Sequence, residues 1–295
     1  MPPSTPAPLG AFTLEAPVGR GGMGEVWAAR HVASGAPVAV KLVTTAHAAN
    51  PRFRAAFAAE VRAIARLNHP GIVAVHDFGR VTPPDADRAG LAVGSPYLVM
   101  DLLDGGSLTP RLGVTPWDEA RGILLALLSA LAHAHARGVV HRDLKPENVL
   151  WGGHPQRLQL TDFGLAFAAD AALDGGDGEV AFAAAGTPAY MAPEQVLGGW
   201  RDLGPWTDLY AVGCLAYALV CGASPFARDT PAASVAAQMS EPAPPLVPTV
   251  AVPLELDAWI RALLVKDPDR RCRRAADAAF ALRRLGEAVR PPAAT

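Results

Sequence analysis

A chain of 295 residues with 51% hydrophobic and 18% charged side chains has ordinary globular composition, enough for one large domain or two lobes. Its formal charge, 26 − 28 = −2, removes the electrostatic case for nucleic acid as main partner. Of its three cysteines, Cys214 and Cys221 stand seven apart in a helical pattern, a rise of about 10 Å that excludes a disulfide between them. A reducing cytoplasm is the expected home. The longest apolar runs, 123–128 and, with interruptions, 211–220, fall short of the roughly 18 to 20 residues a membrane span requires.

Residues 1–11 have neither a basic start nor an apolar core, so no signal peptide is expected and the segment reads as a short disordered lead. From Phe12 to Lys41 the chain alternates and turns like strands. Gly19, Gly21 and Gly24 form GxGxxG, a weak signal alone, but they stand between strand-like segments instead of opening a helix. Glycines without Cβ let backbone amides close over triphosphate oxygens, and Lys41 at the end of Val38-Ala39-Val40-Lys41 would hold the α- and β-phosphates. A helix is expected over 51–67, with Phe53, Phe57, Val61, Ile64 and Ala65 on one side. Glu60 projects from it, either solvated or paired with a buried cation. Segments 72–75 and 97–100 read as strands, and 80–95, polar and proline-bearing, as a long loop.

Thr115 as N-cap, Pro116 at the first position and Asp118 at the third open a long amphipathic helix carrying Ile123, Leu124, Leu127, Leu128 and Leu131. His133 and His135 on it, two apart, do not share a face, so packing or solvent is expected of them and not a metal. The run His141-Arg142-Asp143-Leu144-Lys145-Pro146-Glu147-Asn148 then forms a helix-to-strand loop. Phosphoryl transfer needs an acceptor for a hydroxyl proton, a cation against the transferred group and an oxygen ligand for magnesium; Asp143, Lys145 and Asn148 offer one of each. Asp162, in Asp162-Phe163-Gly164, stands fourteen residues after Asn148 and is the second metal ligand, a carboxylate, that this chemistry calls for. A helix apolar nearly all round begins at Asp208, and further helices are expected over 254–264 and 275–285. The arginines at 270, 271, 273 and 274 suit a solvated helix face better than a polyanion site.

The eight-residue loop, the glycine flap, the Val-Ala-Val-Lys strand and the segment Gly186-Thr187-Pro188-Ala189-Tyr190-Met191-Ala192-Pro193-Glu194 together resemble eukaryotic-type serine/threonine protein kinases of the bacterial subgroup. The resemblance runs from about residue 12 to 285. It implies an α+β, two-lobed kinase fold: a mostly antiparallel β N-lobe over 12–100 with one key helix, a hinge at 101–106, and a mainly helical C-lobe over 107–287, within a domain of 12–287 and followed by a tail of 288–295. The implied activity is transfer of the γ-phosphoryl group of Mg-ATP, with Mn²⁺ as alternative ion, to Ser/Thr hydroxyls of protein substrates. Asp143 would be the base, Lys145 and Thr187 would lie beside it, Lys41 would pair with Glu60 (Glu25 being the weaker candidate), and Asn148 and Asp162 would hold the metal. The nucleotide would lie against Val18, Gly19, Gly21, Gly22, Met23, Gly24, Val26, Ala39, Met100 and Leu150, with the backbones of Asp101 and Leu103 bonding the base. Segment 186–194 would be the peptide-docking segment, its Glu194 would pair with Arg271, and Asp208 would cap the catalytic loop.

One departure stands out. An arginine such as Arg142 often grips a phosphate on the activation loop in this family, yet residues 162–186 contain no Ser, Thr or Tyr. Arg142 is therefore expected to meet Asp170, Asp174, Asp177 or Glu179, unless packing or a regulatory partner, a second copy included, orders the loop. The competing reading is a pseudokinase-like ATP-binding module, supported only by that missing phosphosite.

Overall fold

Alternating apolar positions in the first hundred residues build one antiparallel sheet, ordered β1-β2-β3-β4-β6-β5. The computed structural model describes residues 6–21, 24–43, 50–153, 155–163, 188–197 and 202–287. The strands are β1 (Ala7–Leu9), β2 (Phe12–Gly21), β3 (Gly24–His31), β4 (Pro37–Val43), β5 (Val75–Arg80) and β6 (Pro96–Met100). In β4 the period of two sends Val38, Val40 and Leu42 to an outer apolar layer, and Ala39 and Val43 to an inner one. Lys41 shares the inner face, paired in register with Val26 and Leu98. Helix α1 (Pro51–Ile64), capped by the Asn50 side chain, covers that face with Phe53, Phe57, Val61 and Ile64.

The outer layer corrects two expectations. The lead over 1–11 is not wholly disordered: β1 pairs with β2 from Ala7↔Leu14 to Leu9↔Phe12, and Ala7 and Leu9 are fully buried. The loop expected over 80–95 contains α2 (Pro83–Ala89), because Thr82 and Asp85 form a capping box, Pro83 fits the first turn and Gly90 closes the end at φ 69°. The Asp85 carboxylate also accepts the Gly10 N–H at 3.2 Å, joining the two elements over Trp27. A third correction concerns 72–75. Ile72 only bridges Leu160 and the Val73 N–H donates to the Leu160 carbonyl at 3.0 Å, so these residues tie the lobes together and the strand begins at Val75.

The large lobe is helical. It comprises α3 (Trp117–His135), a hairpin of β7 (Val149–Gly152) and β8 (Arg157–Leu160), then α4 (Pro193–Val196), α5 (Pro205–Cys221), α6 (Pro231–Ser240), α7 (Leu256–Leu263) and α8 (Ala275–Arg283). Helix α3 starts after Pro116 and not at Thr115, whose hydroxyl donates instead to the Arg111 carbonyl at 2.7 Å. Helix α5 is buried from Thr207 to Val220 with few breaks, as an all-round apolar segment requires, and Gly222 ends it in the left-handed region. Helix α6, which the sequence reading passed over, is capped by Thr230 with Pro231 in its first turn. One apolar core runs from α1 through α3 to α8, while the outer layer of the sheet forms a second.

Candidate active site

The loop between α3 and β7 is held from behind. Asp208, at the start of α5, is fully buried. Its Oδ2 accepts the His141 N–H at 2.8 Å and His135 Nε2–H at 2.7 Å, and its Oδ1 accepts the Arg142 N–H at 2.8 Å. Burial alone would raise its carboxyl's pKa; the hydrogen bond and charge of His135, with His141, outweigh that and hold it below the usual range. The capping role expected of Asp208 is thus present, and His135, read from sequence as packing or solvent, is its partner.

Asp143 is partly exposed. Lys145 Nζ lies 3.0 and 2.8 Å from its two carboxylate oxygens, and Asn148 Nδ2 donates to its carbonyl at 2.7 Å and to Oδ2 at 3.0 Å. With the amide nitrogen committed to two acceptors, Asn148 Oδ1 is left as an oxygen donor. His141 donates from Nε2 to the Thr161 carbonyl at 2.9 Å and accepts the Asp143 N–H at 3.3 Å, and its ring packs on Phe163 with centroids 4.4 Å apart. These contacts fix the loop against Asp162, which sits at φ 61°.

The ion pairs around the cleft differ from the expected set. Lys41 Nζ lies 2.8 Å from Asp162 Oδ1, and Glu60 pairs with Arg142 Nη1 at 3.2 Å. The expected Lys41–Glu60 pair is therefore corrected. In this pairing each acid at the site has a cation, Asp162 with Lys41, Glu60 with Arg142 and Asp143 with Lys145, and the Glu60 contact ties α1 to the catalytic loop. Glu25 is occupied elsewhere, with Arg20 at 3.6 Å and the Trp27 indole at 3.3 Å. Burial raises the Glu60 carboxyl to about 7 despite Arg142. For Asp162 burial acts in the same direction, but the ammonium of Lys41 outweighs it and lowers the pKa.

The glycine flap is open: an added Cβ would meet nothing at Gly19 or Gly21, and Val18 is 56% exposed. Gly24 is different, since at φ 150° a Cβ would lie 1.9 Å from the Leu42 carbonyl oxygen. Val26, Ala39, Met100 and Leu103 join one apolar cluster, and Leu150 is half-buried on β7. At the connection between lobes the Asp101 N–H donates to the Ala74 carbonyl at 3.1 Å, and its carboxylate meets His76 at 2.7 Å. Gly22, Met23 and Thr187 lie outside the described residues, as do segment 164–186 with Asp170, Asp174, Asp177 and Glu179, and tail 288–295.

A buried platform lies below. All five donors of Arg271 are used: Nη1 and Nη2 to Glu194 at 2.7 and 3.0 Å, and three contacts to the carbonyls of Val265, Trp206 and Lys266. Thr207 adds a hydroxyl to Glu194 at 3.0 Å. The arginine cluster is therefore not one solvated helix face; Arg271 is interior, while Arg273 reaches Asp269 at the surface. Gln238 on α6 donates to the Pro188 carbonyl at 3.2 Å, and Ser224 donates to that of Ala189. The Cys214 thiol, enclosed beneath this platform, is pushed up to about 12 by burial.

A two-lobed fold carrying a held carboxylate, a lysine against it and oxygen donors across the cleft has the make-up of a protein kinase. The family model described as the protein kinase domain matches residues 12–280, and the chain belongs to that family. Among curated relatives, serine/threonine-protein kinase PknA of Mycobacterium tuberculosis is 38% identical over 286 residues, covering 96% of this chain and 63% of that protein. Serine/threonine-protein kinase Pkn1 of Myxococcus xanthus is 40% identical over 271 residues, covering 88% of this chain and 36% of that protein. The chain thus spans less than two-thirds of the length of these relatives. The crystal structure of the Mycobacterium tuberculosis PknI kinase domain superimposes with a TM-score of 0.67 at 28% identity, covering 95% of this chain and 98% of that one.

Proposed function

We propose that this chain is a serine/threonine protein kinase that transfers the γ-phosphoryl group of Mg-ATP to hydroxyls of protein substrates. The observation that carries the reading is Asp143, whose partly exposed carboxylate is held by both Lys145 and Asn148. Asp143 accepts the hydroxyl proton as the substrate oxygen bonds to the γ-phosphorus and the bond to the ADP oxygen breaks. Lys145 meets the charge on the transferred group, and Thr187 is assigned beside both. Lys41 contacts the α- and β-phosphates, which the flap of Val18, Gly19, Gly21, Gly22, Met23 and Gly24 covers. The adenine lies between Val26, Ala39, Met100 and Leu150, against the backbone of Asp101 and Leu103.

Asn148 Oδ1 and the Asp162 carboxylate are hard oxygen donors, the kind magnesium takes, and would hold the ion. When bound it neutralises charge on the phosphates. With no hydroxyl in 164–186, loop phosphorylation is not required for turnover. No helix among the described residues is long and apolar enough to cross a membrane, and the three cysteines are free, in keeping with a cytoplasmic setting. A regulatory protein or a second copy is assigned as the source of control.

The test is transfer of labelled γ-phosphate from Mg-ATP to the chain itself and to a generic basic protein. Asp143→Asn should lose on the order of 10² to 10⁴-fold in rate while still binding ATP, and Lys41→Met should be similarly impaired. Full activity in Asp143→Asn would overturn the assignment.

A further inference from the structure

Arg142 is one of two described non-glycine residues at positive φ, 65°, a backbone conformation disfavoured for an L side chain unless its surroundings impose it. The surroundings do so from two sides. Its N–H is held by Asp208 Oδ1 at 2.8 Å, and its carbonyl accepts Gln195 Nε2–H at 2.7 Å. The peptide that follows leads directly to Asp143, and its N–H goes to His141 Nδ1 at 3.3 Å. The plane from which Asp143 hangs is thus pinned at both its carbonyl and its N–H.

Gln195 is 5% exposed and stands on α4, right after Glu194. Its other amide end is also used: Oε1 accepts the Ala192 N–H at 3.1 Å, from the segment that resembles the peptide-docking stretch. The side chain therefore joins two backbones, that of the docking segment and that of the catalytic loop. Arg142, Asp143, Tyr190, Met191 and Asp208 line the same small cleft.

We propose that Gln195 is a positioning residue that couples the docking segment to Asp143, setting the direction of the catalytic carboxylate through the Arg142 carbonyl. This rests on the kinase reading. A carboxamide suits the task because it presents a donor to Arg142 and an acceptor to Ala192 at once, whereas glutamate would set a carboxylate oxygen against a carbonyl.

The experiment compares the parent chain with Gln195→Met and Gln195→Glu, using Mg-ATP and a basic protein acceptor. Gln195→Met loses both amide hydrogen bonds and should lower kcat at least about tenfold, with the KM for ATP unchanged and the melting temperature lowered by a few degrees. Gln195→Glu should show the same loss at alkaline pH and recover relative to the parent as pH falls, because a protonated carboxyl again donates to the Arg142 carbonyl. An unchanged kcat in Gln195→Met would overturn the proposal. So would a rise confined to the KM for the protein acceptor, or a pH profile of Gln195→Glu parallel to the parent's. A parent chain without phosphotransfer would overturn the kinase reading and this inference with it, whereas an active parent with any of the three other results overturns the inference alone.

Discussion

Two glutamate–arginine pairs, one inside the large lobe and one between the lobes, make an instructive contrast. Glu194–Arg271 is sealed in the large lobe, bidentate, with every guanidinium donor used and a threonine hydroxyl on the carboxylate. Glu60–Arg142 bridges the lobes through one contact at 3.2 Å with both side chains partly exposed, 18% and 27%, and its glutamate sits at about 7. The first has the geometry that offsets the desolvation of two charges; the second leaves its carboxylate poorly compensated. A rigid support under the docking segment and a weakly held contact at the cleft are thus built from the same two residue types, and surroundings decide which is which.

Removing the interior arginine should have the largest effect. Arg271→Met strands a buried carboxylate and should cost about 3 to 5 kcal/mol, read as a lower urea midpoint; an unchanged midpoint would show that the platform does not depend on the pair. At the cleft the expected effect is a change of slope. Glu60 ordinarily titrates near 4.5 and is raised to about 7 in the fold, so the folded state keeps a proton that the unfolded chain releases. Its stabilising contribution is full below about pH 4.5 and is lost as pH rises to about 7. Glu60→Gln should therefore flatten the melting temperature against pH across that window, and a parallel decline in both proteins would refute the assignment. The smallest change belongs at the surface pair: Arg273→Ala, opposite an Asp269 side chain that is 84% exposed, should stay within about 0.5 kcal/mol.

Much of this was readable from residues alone where function demands particular types at close spacing. Asp143, Lys145 and Asn148 fall within six positions, and their mutual contacts follow from one tight loop. The buried pair was also foreseen, though only through the family resemblance, which pairs Glu194 with an arginine placed as Arg271 is after Pro268. Partner choice at the cleft was not. Lys41, Glu60, Arg142 and Asp162 lie on four separate segments, so which acid meets which cation depends on how those segments pack, a tertiary quantity. Helix α2 was hidden by its own prolines, although Thr82 and Asp85 carried the start signal, and β1 is three residues long, too short for its alternation to register. Gln195 had no signal in the sequence, since a glutamine after a glutamate suggests nothing until both ends of its amide are seen occupied.

The thiol beneath the platform has a practical consequence. Cys214 is fully enclosed and its ionisation is pushed to about 12, so in the closed fold it presents neither access nor thiolate to an alkylating reagent. Cys221 and Cys272 are only partly covered and react first. Labelling of Cys214 then proceeds at the frequency with which the large lobe opens, which makes this side chain a built-in clock for breathing of the floor under the docking segment.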